Sequence, residues 1–249
     1  QRQMCIRDSF KPEYLPDRAA RDRFLREGTA WVALGAYPHV VRCYEVILPD
    51  VSLEVYLVLE LIAKEQGYPD ASLRSWLLPR QPLPVEPALL FALQIVRGMQ
   101  HAVECLPGFV HRDLKPENVL VGTDKLPGTN VNQLRVTDFG LAAVLQGAES
   151  EVQPAPASSI QYPASNNQQS VTRTQLTHGM VGTPLYMAPE QWQGEKLGVY
   201  TDVYALGCML VEMLTGERAV ALDSLTALRH AHCTGEVRPL PIDLPDSVH

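Results

Sequence analysis

Four side chains in one part of this sequence have the chemistry to move a phosphoryl group. Asp113, Lys115 and Asn118 fall within six residues, and Asp138 follows twenty residues after Asn118. Phosphoryl transfer asks for little covalent help: it needs a positioned nucleophile, neutralised phosphate charge and a site that excludes water. A carboxylate, an ammonium and an amide oxygen in one short loop supply those needs, and a second carboxylate can share a hard divalent cation with phosphate oxygens. An isolated H-x-D would be an ordinary charged surface turn. Here an apolar helical stretch leads into the charged loop and Val119-Leu120-Val121 leads out. The residue chemistry alone reaches phosphoryl transfer with Mg²⁺, an aspartate and a lysine.

The surrounding periodicities indicate how the loop is held. Pro87 to Leu106 reads as a long amphipathic helix, with Ala88, Phe91, Ala92, Ile95 and Met99 on one face, and it delivers the chain to the loop. Val119 to Val121 and Leu134 to Thr137 read as strands, with a turn-rich connection over Gly122 to Asn132. Upstream, Arg18 to Leu34 reads as a helix with Asp17 as N-cap, and Val40 to Leu48 and Val55 to Leu61 as strands around Pro49-Asp50. Leu73 to Leu78 reads as a short helix before a proline-rich turn, Val199 to Leu214 as a buried apolar helix, and Leu222 to Gly235 as a last helix.

His111 to Asn118 read H-R-D-L-K-P-E-N, which closely resembles the catalytic loop of the protein kinase family. The resemblance implies that Asp113 orients the acceptor hydroxyl and takes its proton, Asn118 holds Mg²⁺ and Lys115 sits over the γ-phosphoryl. Asp138-Phe139-Gly140 is similar to the family's D-F-G, whose carboxylate binds the ions bridging the β- and γ-phosphates. Gly182 to Glu190, G-T-P-L-Y-M-A-P-E, resembles the end of an activation segment. Asp202 opens a stretch resembling the buried helix whose aspartate braces the H-R-D turn, where His111 is structural. The resemblance further implies that Thr183 braces Asp113 and Lys115. Glu190 would pair with a distant arginine, although no matching arginine context appears before His249. These motifs stand in family order and the resemblance covers nearly all of the chain from Phe10. Lys115 and the G-T-P point to serine/threonine kinases, and G-M-V-G-T-P-L-Y-M-A-P-E-Q resembles the eukaryotic-like kinases of bacteria.

The nucleotide half of such a site is less complete. Phe24-Leu25-Arg26-Glu27 resembles the family's F-x-R-E, making Glu27 the helix-C glutamate. Leu57 to Ile62 resembles the strand entering the hinge, with Leu59 as gatekeeper, backbone groups of Glu60 and Ile62 on adenine, and Leu120 beneath the base. No G-x-G-x-x-G precedes Glu60, and Lys11 is the one lysine before it. The family's strand-3 lysine lies about nineteen residues before its glutamate, which lands on Asp8. Met4 to Ser9 back-translates to a stretch resembling a transposase mosaic end, so Gln1 to Ser9 is expected to be an adapter-derived tag. Residues 10–62 would then be a partial N-lobe with hinge and 63–249 a C-lobe, with truncation expected at both ends. Residues 146–179, rich in Gln, Ser, Asn, Pro and Ala, read as a flexible activation-loop insertion. Thr172, Thr174 and Thr177 follow the family pattern of activating phosphosites, Thr174 and Thr177 most closely, with Arg112 as the phosphate's partner.

Composition closes off other classes. The chain has 249 residues, 46% hydrophobic, enough for one large domain or two lobes. A formal net charge of −7 gives no basic footprint for nucleic acid. Five cysteines without C-x-x-C spacing argue against zinc and a disulfide framework and fit a reducing compartment, here the cytoplasm. No apolar run reaches the roughly 18 residues of a membrane span. The expectation is an α+β, two-lobed kinase fold with an incomplete N-lobe. It would use ATP and Mg²⁺, with Mn²⁺ as the alternative, on Ser/Thr hydroxyls of proteins. Residues 1–249 alone are expected to be inactive. The rival readings are a pseudokinase scaffold, favoured by the missing lysine, and a small-molecule phosphotransferase, opposed by Lys115-Pro116 and the A-P-E segment.

Overall fold

The computed structural model describes residues 4–9, 18–48, 55–139 and 184–239. In chain order these form β1 (Met4–Ser9), α1 (Arg18–Ala33), β2 (Cys43–Ile47), β3 (Tyr56–Glu60), α2 (Val85–Cys105), β4 (Val119–Lys125), β5 (Asn132–Val136), α3 (Pro189–Gln193), α4 (Val199–Thr215) and α5 (Leu225–Thr234), a mixed α+β chain. Short 3-10 turns cover Leu73–Trp76, Pro116–Asn118 and Pro184–Tyr186.

The continuous apolar run of β3 marks it as a strand buried on both faces, and Leu57, Val58 and Leu59 are all buried. It is the centre of an antiparallel sheet ordered β1-β3-β2, with α1 packed against β2. Residues 4–9, which the sequence reading set apart, pair with β3 from Met4 opposite Glu60 to Ser9 opposite Tyr56. Strand pairing draws on backbone groups that every residue but proline carries. The expected strand from Val40 is shorter, because Val40 leaves β2 to bridge Val136 of β5.

The second sheet is the hairpin β4-β5. Its first strand runs to Lys125, beyond the Val119–Val121 expected, because Lys125 still pairs with Asn132 after a register shift. The α2 face read from the sequence is the buried one: Ala88, Phe91, Ala92 and Ile95 lie in the main hydrophobic cluster, and Met99 packs at its edge. Buried Gln94 also faces inward. Its side-chain oxygen accepts from Leu134 N at 2.8 Å and its amide donates to the Asn132 carbonyl at 3.1 Å, so it satisfies backbone groups of β5 that would otherwise be buried unpaired.

On α4, Asp202, Ala205, Cys208, Met209, Glu212 and Met213 are buried, whereas Val199, Tyr200 and Val203 near its start are 49–61% exposed. The expectation of a buried helix therefore holds for one face only. α5 begins later than read, at Leu225, because Ser224 Oγ accepts from Ala227 N at 3.0 Å and caps it. A smaller apolar cluster joins Met187, Trp192, Val220, Leu228 and Ala231.

Candidate active site

The loop after α2 is anchored first through its backbone. Asp202, buried in the first turn of α4, accepts from His111 N at 2.8 Å and from Arg112 N at 3.0 Å. Those bonds hold Arg112 at φ 66°, a left-handed conformation uncommon for a side chain of its size. Burial pushes the Asp202 carboxyl above the usual carboxylate range, against His111 and the two backbone donors, which favour its charged form.

His111 then ties this loop to the strand carrying Asp138. Its Nε2 donates to the Thr137 carbonyl at 3.0 Å, and Thr137 N donates to the Asn118 carbonyl at 2.9 Å. Val136, just before, donates to the His39 carbonyl at 2.9 Å and accepts from Val41 N at 2.8 Å. Asp138, at φ 64°, thus follows a segment bonded on both sides.

On this frame the three chemical groups meet. The Asp113 carboxylate lies 2.8 Å from Lys115 Nζ, with both side chains buried. Asn118 Nδ2 donates to the Asp113 carbonyl at 2.8 Å and to its carboxylate at 3.2 Å. With the amide nitrogen committed there, Oδ1 is the Asn118 pole left to coordinate. Among the described residues no group of three or more His, Cys, Asp or Glu could hold a metal. Asn118 Oδ1 and the Asp138 carboxylate are hard oxygen donors, the kind of group that holds a divalent cation sharing its shell with phosphate and water.

Phe139 is buried between Trp31, Phe109 and His111, with ring centroids 5.4, 5.6 and 5.3 Å away. Trp31 was not singled out in the sequence, yet it lies one helical turn after Glu27, so the two share a face of α1. Its Nε1 donates to the Val41 carbonyl at 2.8 Å, fixing α1 to the segment that bridges β5.

A cleft of about 430 Å³ is lined by Glu60, Leu61, Ile62 and Leu120, with the exposed carboxylates Asp70 and Glu117 at its edge. Leu59, the residue before Glu60, is buried. Glu60 N donates to the Arg42 carbonyl at 2.8 Å.

The remaining sequence candidates divide. Glu27 is half-buried and its charge acts on Arg112, whose pKa is lowered by burial and supported by Asp202 and Glu27. Asp8, nineteen residues before Glu27, lies on β1 opposite Leu57. Glu190 accepts from Thr201 Oγ1 at 2.7 Å. Gln191, which the sequence reading missed, donates to the Arg112 carbonyl at 2.8 Å. Arg112 Nε is buried without a partner among the described residues. Gly140, Thr172, Thr174, Thr177 and Thr183 lie outside the described residues.

The protein kinase domain model matches residues 11–239. Serine/threonine-protein kinase A of Synechocystis is 31% identical over 86% of this chain and 36% of its own length. PkaA of Streptomyces coelicolor, a serine/threonine-protein kinase, is 32% identical over 95% of this chain and 36% of its own length. The serine/threonine-protein kinase PknA of Mycobacterium tuberculosis is 31% identical over 96% of this chain and 47% of its own length. The chain thus spans between a third and a half of these relatives. With the loop, the D-F-G strand and the bracing Asp202 in one constellation, the chain belongs to the protein kinase domain family, among its eukaryotic-like serine/threonine members.

Proposed function

We propose that the chain is the catalytic portion of a protein serine/threonine kinase that transfers the γ-phosphoryl of ATP to protein hydroxyls. The observation that carries this reading is the Asp113 carboxylate, 2.8 Å from Lys115 Nζ, on a loop whose backbone Asp202 holds at two consecutive amides. Asp113 accepts the proton of the acceptor hydroxyl and keeps its lone pair directed at phosphorus. Lys115 neutralises charge on the transferring group. Asn118 Oδ1 and Asp138 hold the cation, which we propose to be Mg²⁺ with Mn²⁺ as substitute; when bound it neutralises phosphate oxygens. The cleft beside Leu120 takes adenine, with the Glu60 carbonyl and the Ile62 backbone as its polar contacts. Thr183 braces Asp113 and Lys115, and a phosphate on Thr174 or Thr177 pairs with Arg112, whose buried Nε is a donor suited to it.

The domain reading belongs to the same proposal: an adapter-derived segment over 1–9, a partial N-lobe with hinge over 10–62, and a C-lobe over 63–249 with an insertion at 146–179. So does a cytoplasmic site of action. It is supported by Cys43 and Cys208, unpaired and buried, with thiols that burial pushes up to about 11. Among the described residues no helix is long and apolar enough to cross a membrane.

The test is Mg-ATP-dependent labelling of a peptide array by the full-length gene product, wild type against Asp113→Asn. Serine and threonine labelling that the substitution abolishes supports the reading. Labelling of small hydroxyl compounds and of no peptide overturns it. Residues 1–249 alone carry no glycine-rich loop and an aspartate at position 8. Groups that stabilise transferring phosphate are each worth roughly 10²–10³-fold, so this segment alone is expected to be slower by at least that factor.

A further inference from the structure

A polar cluster beside the site centres on Arg74, in the 3-10 turn Leu73–Trp76, with Arg74 partly exposed, Glu212 buried and Glu117 exposed. Its guanidinium reaches three other parts of the chain. Nε donates to Glu117 Oε1 at 2.8 Å. Nη1 and Nη2 form a fork on Glu212 of α4, at 2.6 and 3.2 Å. Nη2 also donates to the Tyr186 hydroxyl, which itself donates to Glu212 Oε2 at 2.5 Å. Burial, with Glu212 alongside, pushes the Tyr186 hydroxyl far above the ordinary range, so it remains a donor at every working pH.

The partners of this guanidinium adjoin the chemistry. Glu117 is the middle residue of the Pro116–Asn118 turn, next to the amide that contacts Asp113. Tyr186 lies in the Pro184–Tyr186 turn, where the G-T-P-L-Y segment emerges. Arg74 itself stands on a fixed base. Asp70 Oδ1 accepts from Ser72 N, Ser72 Oγ and Ser75 Oγ at 2.6–2.8 Å, and Val121 N donates to the Ala71 carbonyl at 2.7 Å.

A buried ion pair adds little net stability over apolar side chains of the same volume, because desolvation offsets most of the attraction. What it adds is geometry. A planar guanidinium presents its donors at fixed angles, so three partners on one fork are held at set positions relative to each other. We propose that Arg74 is a positioning residue that couples the Pro116–Asn118 turn to the Pro184–Tyr186 turn across Glu212, so that the metal-holding amide and the polypeptide leading into α3 move as one unit. The consequence for catalysis rests on the kinase reading; the coupling itself does not.

The test is Arg74→Lys, read by hydrogen exchange. Lysine keeps a cation over Glu212 but cannot serve Glu117, both Glu212 oxygens and Tyr186 together. We expect exchange in peptides covering 114–119 and 184–188 to rise about tenfold or more, the scale of one lost charged hydrogen bond. Exchange in α2 and α5 should stay unchanged, with the melting temperature nearly so. In the full-length gene product, kcat should fall about tenfold while the nucleotide KM holds. Unchanged exchange at both turns, or a rise at one turn alone, overturns the coupling. A rise spread over every element with a large drop in melting temperature reduces Arg74 to a stability residue and also overturns it. Should Arg74→Lys fold poorly, Arg74→Met with Glu212→Met removes both charges at once, and the same paired rise in exchange is required of it. Exchange needs no turnover, so an inactive wild type would count against the kinase reading and leave the exchange result standing.

Discussion

Replacing Gly98 by alanine should destabilise the protein although it improves the intrinsic helix propensity of α2. A Cβ on Gly98 would sit 2.5 Å from the His39 carbonyl oxygen and 3.3 Å from its carbon. A carbon and a carbonyl oxygen approach to about 3.3 Å at closest, so α2 and the His39 segment must part by roughly 0.8 Å. The neighbour is backbone and cannot rotate away, and the same oxygen accepts from Val136 N at 2.9 Å. Overpacking costs about 1–3 kcal/mol, and a rigid neighbour places this site near the top of that range. The helix gains about 1 kcal/mol on losing a glycine, which leaves a net loss of about 2 kcal/mol. For a chain of this size that lowers the melting temperature by about 4–8 °C. Gly207 of α4 provides the control, because it is exposed and a Cβ there meets nothing within 4 Å. Gly207→Ala should raise stability by about 1 kcal/mol, or about 2–4 °C. Calorimetry on both variants gives the answer. If Gly98→Ala stabilises as Gly207→Ala does, the close approach of α2 to His39 is wrong, and with it the account of how Asp138 is held.

Three further outcomes follow from the same packing. Asp202→Asn keeps one acceptor for His111 N and Arg112 N and sets an amide donor against the other, so urea denaturation should show a loss of about 3 kcal/mol; a loss under about 1 kcal/mol would mean that the H-R-D turn holds itself. Trp31→Phe retains an aromatic ring against Phe139 but leaves the Val41 carbonyl without its indole donor, at a cost of about 1 kcal/mol, whereas Trp31→Ala should cost about 3–5 kcal/mol; equal costs would refute the separate role of that bond. Burial lowers the pKa of both His39 and His232, so below about pH 6.5 the unfolded chain binds protons that the folded chain refuses. That contribution to stability is complete above the ordinary histidine pKa and is lost as pH falls toward the lowered values. The melting temperature should therefore drop between about pH 7.5 and 5.5, less steeply in His39→Gln, and a slope identical in that variant would clear His39 of the effect.

The sequence made some of this legible for a physical reason. Contiguous residues bring their own geometry, so H-R-D-L-K-P-E-N could be read as a site before any fold was known, and Asp113, Lys115 and Asn118 do converge. Helical period likewise exposed the buried face of α2. Pairings set by the meeting of distant segments left no such trace. Nothing local to Arg74 names Glu212, 138 residues away, and nothing local to Gln94 names Leu134. Trp31 is an intermediate case: its place one turn after Glu27 was available, but a tryptophan on a helix is ordinary core until Phe139 is seen against it.

Glu190 shows how such distant pairings act together. Its carboxylate accepts from Thr201 Oγ1, on the next helix, at 2.7 Å. Asp202 follows in that same helix turn and holds His111 and Arg112 from 91 and 90 residues away. Gln191, beside Glu190, reaches the Arg112 carbonyl from the other direction. The H-R-D turn is therefore clamped at its amides by α4 and at a carbonyl by α3, and Glu190–Thr201 joins those two helices. A substitution at Thr201 removes no group from the site, but it loosens the join between the two clamps. Thr201→Val, which keeps the shape but deletes a hydroxyl that donates to Glu190 and accepts from Gly198 N at 3.2 Å, should impair the site more than the cost of about 2 kcal/mol for those two bonds suggests, because the strained Arg112 backbone depends on both clamps staying in register.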